Sequence, residues 1–410
     1  MNRADAVLVD EVADWLMSRA LGATVVEDLL PGCCVRLRAA GVPLWRGHVA
    51  FNTLHPLFAS RTVTWRHDSD LDVVDIPHHG TDPAGWLSSP LYHLVTTGLP
   101  YLRRRLVGLR AQADFPMLEE LRDAGATDYL AFAVAFADHV PGEPDTDGIV
   151  GSWATDHPNG FGDADIRALT RIQTRLAVAF KIAIKEQIAR NIAVAYLGRN
   201  AGERVLAGTI RRGDGEDIHA VIWFCDLRDS TPLSSSMPRA EFFELLNRFL
   251  ECMAGAVLDL DGEVLRFIGD AALAIFPFDT DQETAPADAH PCTRALAAAE
   301  DAAQRVTALN AERAEDQKPP IDFGIGLHVG DLMYGNIGSP ARIEFTVIGS
   351  AANQAARIES LCKTLDTRLL ISDSFAALYQ GELRSLGRHA LRGVEGEREL
   401  FTHPVLSAAK

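Results

Sequence analysis

Asp226 and Asp270 are the residues whose type and position first suggest chemistry. Asp226 follows the apolar run Ala220 to Phe224, and Asp270 follows the strand-like run Val264 to Ile268. Each stands where a buried strand would end and the chain would turn. Two such carboxylates that meet in space offer hard oxygen ligands to a divalent cation. A single Asp after a strand more often caps a turn, so the reading depends on a third segment, residues 322–359. There Asn353 and Arg357 stand at i and i+4 of SAANQAARIES and share one helix face. Such a pair is ordinarily a solvated surface, but a planar, permanently charged Arg fork also suits phosphate oxygens.

The bulk composition narrows the partners. A chain of 410 residues that is 47% hydrophobic and 23% charged fits a globular protein of two domains. Its net charge of −17 argues against general binding to nucleic acid or an anionic membrane, while leaving room for a small phosphorylated ligand held locally. The cysteines (Cys33, Cys34, Cys225, Cys252, Cys292 and Cys362) show no CxxC or metal spacing and read as thiols in a reducing compartment. Early acids (Asp5, Asp10, Glu11) and no spanning apolar run lead to the expectation of a cytoplasmic protein.

The elements that must position the candidate residues follow from periodicity. Residues 1 to about 30 have helical spacing. Between Cys33 and Asp75, CVRLRA, LWRGHVAF and RTVTWRH read as strands, and DIPHHGTDPAG as a loop. Tyr101 to Leu121 reads as helix, TDYLAFAVAFAD and IVGSWATDH as strands, with a Pro/Gly/Asp loop at 140–148. The result is an α/β domain. Its histidines (His48, His55, His67, His78, His79, His93, His139) match no ligand spacing, so no haem or metal is expected there. From Ile166, the apolar positions Leu169, Ile172, Leu176, Phe180, Ile184, Ile188, Ile192 and Ala195 make one helical stripe. It can pack on its own chain or on its copy in a parallel dimer, and its place between two domains favours the copy. LGRNAGERVLAGTIRRGDGED then reads as a linker. From residue 216 the order strand, helix, strand, strand, helix, strand predicts an α+β, ferredoxin-like sheet with helices over one face.

FCDLRDST, GEVLRFIGDAALAIF, GLHVGDLMYGNIGS and FTVIGSAANQAARIES together resemble the catalytic domain of class III nucleotidyl cyclases over about 190 residues. The resemblance implies that Asp226 and Asp270, with the Leu227 carbonyl, hold two Mg²⁺ or Mn²⁺ ions per active site. It implies that Asn353 orients the ribose and Arg357 stabilises charge at the reacting phosphate. Arg266 and Thr346 fall where the family reads the purine, in the manner of a bacterial Thr-type subgroup. An Arg donor suits adenine N1 and a Thr hydroxyl can accept from the amino group. The loop Arg228, Asp229, Ser230, Thr231 falls beside the triphosphate, where backbone N–H groups would bind it.

Three departures stand out. Asp229-Ser230-Thr231 replaces Gly-Phe-Thr, placing an extra carboxylate near a triphosphate. Arg266 replaces Lys. The family's late basic residue has two counterparts, Arg392 and Arg398. A chain carrying both half-sites is expected to be a homodimer with active sites at the subunit interface. SWATDHPNGFGDADIRALTRIQTRLAVAF, through Phe161, Asp165, Leu169 and Leu176, resembles the close of a GAF domain. The expected organisation is a GAF-like sensor at 1–165 with an unknown small-molecule effector, a signalling helix and linker at 166–215, and a cyclase domain at 216–410. The expected activity is adenylate cyclase acting on ATP. The alternatives are guanylate cyclase, or a silent nucleotide-binding module.

Overall fold

The computed structural model describes residues 5–79, 83–136, 147–278 and 290–406; His139 and most of the expected loop at 140–148 lie outside them. The chain divides into two compact units, Met1–Ile192 and Ala193–Lys410.

The first unit contains α1 (Ala6–Leu21), α2 (Val26–Ala39), β1 (Arg46–Asn52), β2 (Phe58–Arg66), β3 (Asp72–Pro77), α3 (Pro83–Leu87), α4 (Pro90–Thr97), β4 (Tyr101–Arg105), α5 (Pro116–Asp123), β5 (Asp128–Ala135), β6 (Gly148–Thr155) and α6 (Asp163–Leu197), which runs on into the second. Its six strands lie in the order β3-β2-β1-β6-β5-β4. Helices and strands intermingle as expected, yet every neighbouring pair is antiparallel. Two expectations fail. CVRLRA belongs to α2, because Val26, Leu29, Leu30, Cys33, Cys34 and Leu37 are all buried at helical steps of one, three and four. Tyr101 opens a strand rather than a helix, because Arg103 and Arg105 reach the buried Asp128 across β4 and β5.

The α6 stripe is also reassigned. Leu169, Ile172, Leu176, Phe180 and Ile184 are buried in the first unit's own core, with α1, α2 and the sheet. Steps of three and four fit either partner, and the sheet has taken this face. Exposed on α6 are Val178, Ile182 and Tyr196, which lie off the stripe, and Ile192 near the stripe's far end.

The second unit contains α7 (Arg199–Leu206), β7 (Gly215–Leu227), α8 (Ser230–Ser236), α9 (Arg239–Asp259), β8 (Glu263–Ile268), β9 (Ala271–Pro277), α10 (Pro291–Glu315), β10 (Phe323–Ser339), β11 (Arg342–Ile348), α11 (Ser350–Ser360), β12 (Leu369–Ser372), α12 (Asp373–Ala376), β13 (Arg384–Ala390) and β14 (Glu397–Thr402). The expected linker thus contains a helix, α7. The sheet order is β13-β14-β12-β10-β7-β9-β8, with β11 paired to β10. Its centre, β10-β7-β9-β8, is antiparallel throughout, the ferredoxin-like arrangement.

Central β7 explains its unbroken apolar run. Val221, Trp223, Cys225 and Leu227 enter the core under α9 and α10, while Ala220 and Ile222 enter one lined by α7, β11 and α11. The sheet is therefore covered on both faces, not one. Among the described residues no helix is long and apolar enough to cross a membrane.

Candidate active site

Strand alternation decides where Asp226 points. It lies two residues beyond Phe224 and four beyond Ile222, so it faces the side that carries α11. The β7–β9 register pairs Asp226 with Ala271, and Asp270 precedes Ala271 in the turn after β8. Gly269 takes a φ of 64°, a left-handed conformation that glycine accepts without strain, and this turn sets Asp270 beside the end of β7. The two carboxylates are thereby brought together.

Their electrostatics record the crowding. Burial, then the charge of Asp270, push the Asp226 carboxyl up to about 6, against a pull from the Leu227 N–H. Its Oδ1 is buried and has no hydrogen-bond partner. A like-charged neighbour and an orphaned buried oxygen are what a cation between the two groups would relieve. Among the described residues no cluster of three or more His, Cys, Asp or Glu side chains forms a metal cage. Two carboxylates and a carbonyl fit Mg²⁺-type binding, where waters and substrate phosphates complete the shell. The residues present fit the group.

An open pocket of about 350 Å³ lies against Asp226, lined by it, the loop through Pro232, and Glu359, Ser360 and Lys363. Ser230 and Thr231 open α8 at its rim. Arg228 does not behave as a free substrate cation. Its guanidinium donates to Asp322 at 2.7 Å and to the Thr367 carbonyl, and its N–H donates to the Asp322 carbonyl. It braces the loop. Asp229, left-handed at φ 54°, pairs with Lys363 at 2.6 Å, so the extra carboxylate already has a counter-charge.

Asn353 and Arg357 share the face of α11 opposite Ala351, Ala355 and Ile358, where Asn353 is exposed and Arg357 half-buried. Neither lines the pocket at Asp226. Arg357 Nη1 reaches the Gly393 carbonyl at 3.3 Å, which brings the Arg392 loop to it, whereas Arg398 lies 3.9 Å from Asp373 instead. Arg266, on β8, pairs with Glu344 of β11 at 3.0 Å. Thr346, two residues further along the same strand face, is 5% exposed. The named residues therefore divide into those that line that pocket, Asp226 and its loop, and four that do not, Arg266, Thr346, Asn353 and Arg357.

Two residues escaped the sequence analysis. Glu359 is buried beside the aspartates, and burial and Asp226 push its carboxyl up to about 7. Gly324 and Gly326 make room for it and its helix: a Cβ at Gly326 would stand 2.5 Å from the Ala355 carbonyl, and one at Gly324 would strike the Glu359 carboxylate. The signal was a Glu one position beyond the buried Ile358 of an amphipathic helix. Lys363 carried none, because only the fold brings it to Asp229.

Residues 216–405 match the family described as adenylate and guanylate cyclase catalytic domain. An uncharacterized protein of Mycobacterium tuberculosis is 38% identical over 178 residues, which are 43% of this chain and 31% of that protein. The chain thus spans about a third of the length of such relatives. A bacterial light-regulated adenylyl cyclase structure is 26% identical, covering 47% of this chain and 93% of its own, with a TM-score of 0.40. The guanylyl cyclase Cya2 is 25% identical, covering 48% and 99%, also with a TM-score of 0.40. With its strand-end carboxylate pair and ferredoxin-like sheet, the segment 216–405 is a class III cyclase catalytic domain.

Proposed function

We propose that this chain is an adenylate cyclase converting ATP to 3′,5′-cyclic AMP and pyrophosphate, working as a homodimer with Mg²⁺ or Mn²⁺. The observation that carries the reading is the buried, unpartnered Asp226 Oδ1 beside Asp270, at the mouth of a pocket rimmed by Ser230 and Thr231. In the reaction the ribose 3′-oxygen bonds to the α-phosphorus as the bond to the β-phosphate breaks. Two divalent ions bound by Asp226, Asp270 and the Leu227 carbonyl would acidify that hydroxyl and neutralise phosphate charge. Ser230 and Thr231 hold the triphosphate edge. Asn353 orients the ribose, and Arg357, steadied by the Gly393 carbonyl, offers its guanidinium to the reacting phosphate.

The separation of the two residue groups supports assembly of each site from two chains. So does the apolar surface of β8 and the β10–β11 hairpin, where Phe267, Ile268, Met333, Ile337, Ile343 and Ile348 are exposed. Arg266 and Thr346 read adenine as donor and acceptor. One observation speaks for guanine: the Glu344 carboxylate, an acceptor for N1–H, stands at Arg266. The guanidinium keeps donors beyond that one contact, which suit adenine N1, and adenine is favoured. Residues 1–165 serve as a GAF-like sensor, its core completed by the packed part of α6, and residues 166–215 as the signalling helix and linker.

The test is direct. Purified protein is incubated with ATP or GTP and Mn²⁺ or Mg²⁺, and products are separated by chromatography. Cyclic AMP is expected, with losses of about 100-fold or more in Asp270→Ala and Arg357→Ala. Cyclic GMP as the main product would move the assignment to guanylate cyclase. No cyclic product from a dimeric protein that binds nucleotide would leave a silent module.

A further inference from the structure

The first unit buries a positive charge that no ion pair balances among the described residues. Arg46, on β1, is 9% exposed, and its Nε has no hydrogen-bond partner. Its one side-chain bond, Nη1 to the Ser152 hydroxyl, is long at 3.4 Å. It makes no ion pair among the described residues; Asp72 of β3 acts on it only at a distance, and Arg66, opposite it in the β1–β2 register, adds a like charge. A buried charge left uncompensated costs several kcal/mol, so proteins rarely keep one without a partner.

Arg46 is not isolated among polar groups. His48 lies two residues on along β1 and therefore on the same sheet face, and its Nδ1 meets the Thr64 hydroxyl of β2 at 2.8 Å. Ser152 of β6 sits opposite His48 in register. Tyr129 of β5, fully buried, sits next to this row, and its hydroxyl has no partner of good geometry. The other face of these strands is apolar, with Val49, Val63, Leu130 and Trp153 in the main core. Burial holds both histidine and tyrosine neutral: the imidazole is pushed down to about 3 and the phenol up to about 12.

We propose that this polar row is a binding site for a compact anion, a small carboxylate or phosphate-bearing molecule whose charge pairs with Arg46 and whose oxygens accept from Tyr129 and Ser152. Four strands contribute to it, and the groups left unpaired, a guanidinium N–H and a phenol, are both donors. A cationic or purely apolar ligand would satisfy neither. The inference is independent of the chemistry assigned to residues 216–405.

The test uses the full chain and three probes, acetate, succinate and inorganic phosphate, titrated at constant ionic strength against chloride. Thermal melting and titration calorimetry are the readouts. A saturable rise in Tm is expected with at least one probe and is absent in Arg46→Met. In chloride buffer without probe Arg46→Met is expected to melt at or above wild type, because the uncompensated charge is gone. Tyr129→Phe, a change of one buried hydroxyl, is expected to fold normally and bind the same probe about ten-fold more weakly. The proposal is overturned if no probe shifts the wild type beyond chloride, or if Arg46→Met keeps the shift. It is equally overturned if Arg46→Met melts well below wild type without probe, which would make the guanidinium a structural group.

Discussion

Asp226 illustrates how a crowded carboxylate weighs on the fold that holds it. A carboxyl raised from 3.8 to about 6 binds its proton more tightly folded than unfolded, so its contribution to stability falls as pH rises through this range. With chelator present at pH 8, Asp226→Asn is expected to be as stable as wild type or more so, by roughly 1–2 kcal/mol. Adding Mg²⁺ or Mn²⁺ should raise the melting temperature of wild type and leave the variant unmoved; equal responses would remove the metal role from Asp226. Glu344 makes a second prediction. If it aims Arg266 at the purine, Glu344→Gln should raise the KM for ATP about 5–10-fold with kcat little changed, and narrow the preference over GTP. An unchanged KM would leave the ion pair a surface contact. His328 gives the opposite sign from Asp226. Burial holds its imidazole down to about 4, so the stability it contributes is complete above about 6.5 and is lost as pH falls toward 4. Urea midpoints taken from pH 7 to 5 should fall less for His328→Gln than for wild type.

Elements were legible in the sequence where one period dominated, and misread where tertiary contacts chose between two. The alternation in CVRLRA was real, but it was the end of a longer helical pattern interrupted by Pro31. Nothing local distinguished YLRRR as a strand; Arg103 and Arg105 answer to Asp128, 25 residues away for Arg103. The α6 stripe was correctly seen as apolar and helical, and its partner was not, because periodicity names a face without naming what covers it. Phe180→Asp should therefore unfold the first unit, at a cost of about 3–5 kcal/mol or more, whatever the oligomeric state. The informative change is Val178→Glu with Ile182→Glu on the exposed face. It should leave the first unit folded, by circular dichroism, while weakening any helix pairing and the activity that depends on it. Undiminished dimerisation by ultracentrifugation would exclude pairing along that face.

At the scale of the molecule, the two-group arrangement makes a stoichiometric prediction. Asp270→Ala and Arg357→Ala, each inactive alone, should recover activity when mixed, because a mixed dimer has one site with both defects and one with neither. Random pairing sets the recovery at about a quarter of wild type. No recovery after subunit exchange would place each site within one chain. Asp226 and Asp270 were expected where strands end, and they stand at the end of β7 and just after β8. Glu359, Lys363 and the Arg266–Glu344 contact were hidden, because they arise only when α11 and β11 are laid over the sheet.

The burial of one face of α6 has a mechanical consequence. From Leu169 to Ile184 the helix is keyed into a close-packed interior, and such interiors resist shear between their parts. Spinning the helix about its own axis would drag five large side chains out of their sockets. Any motion of this helix must then carry those packed neighbours with it, as a rod some 50 Å long at 1.5 Å per residue over its 35 residues. A rod of that length converts a tilt of a few degrees at its keyed end into a displacement of several ångströms at its tip.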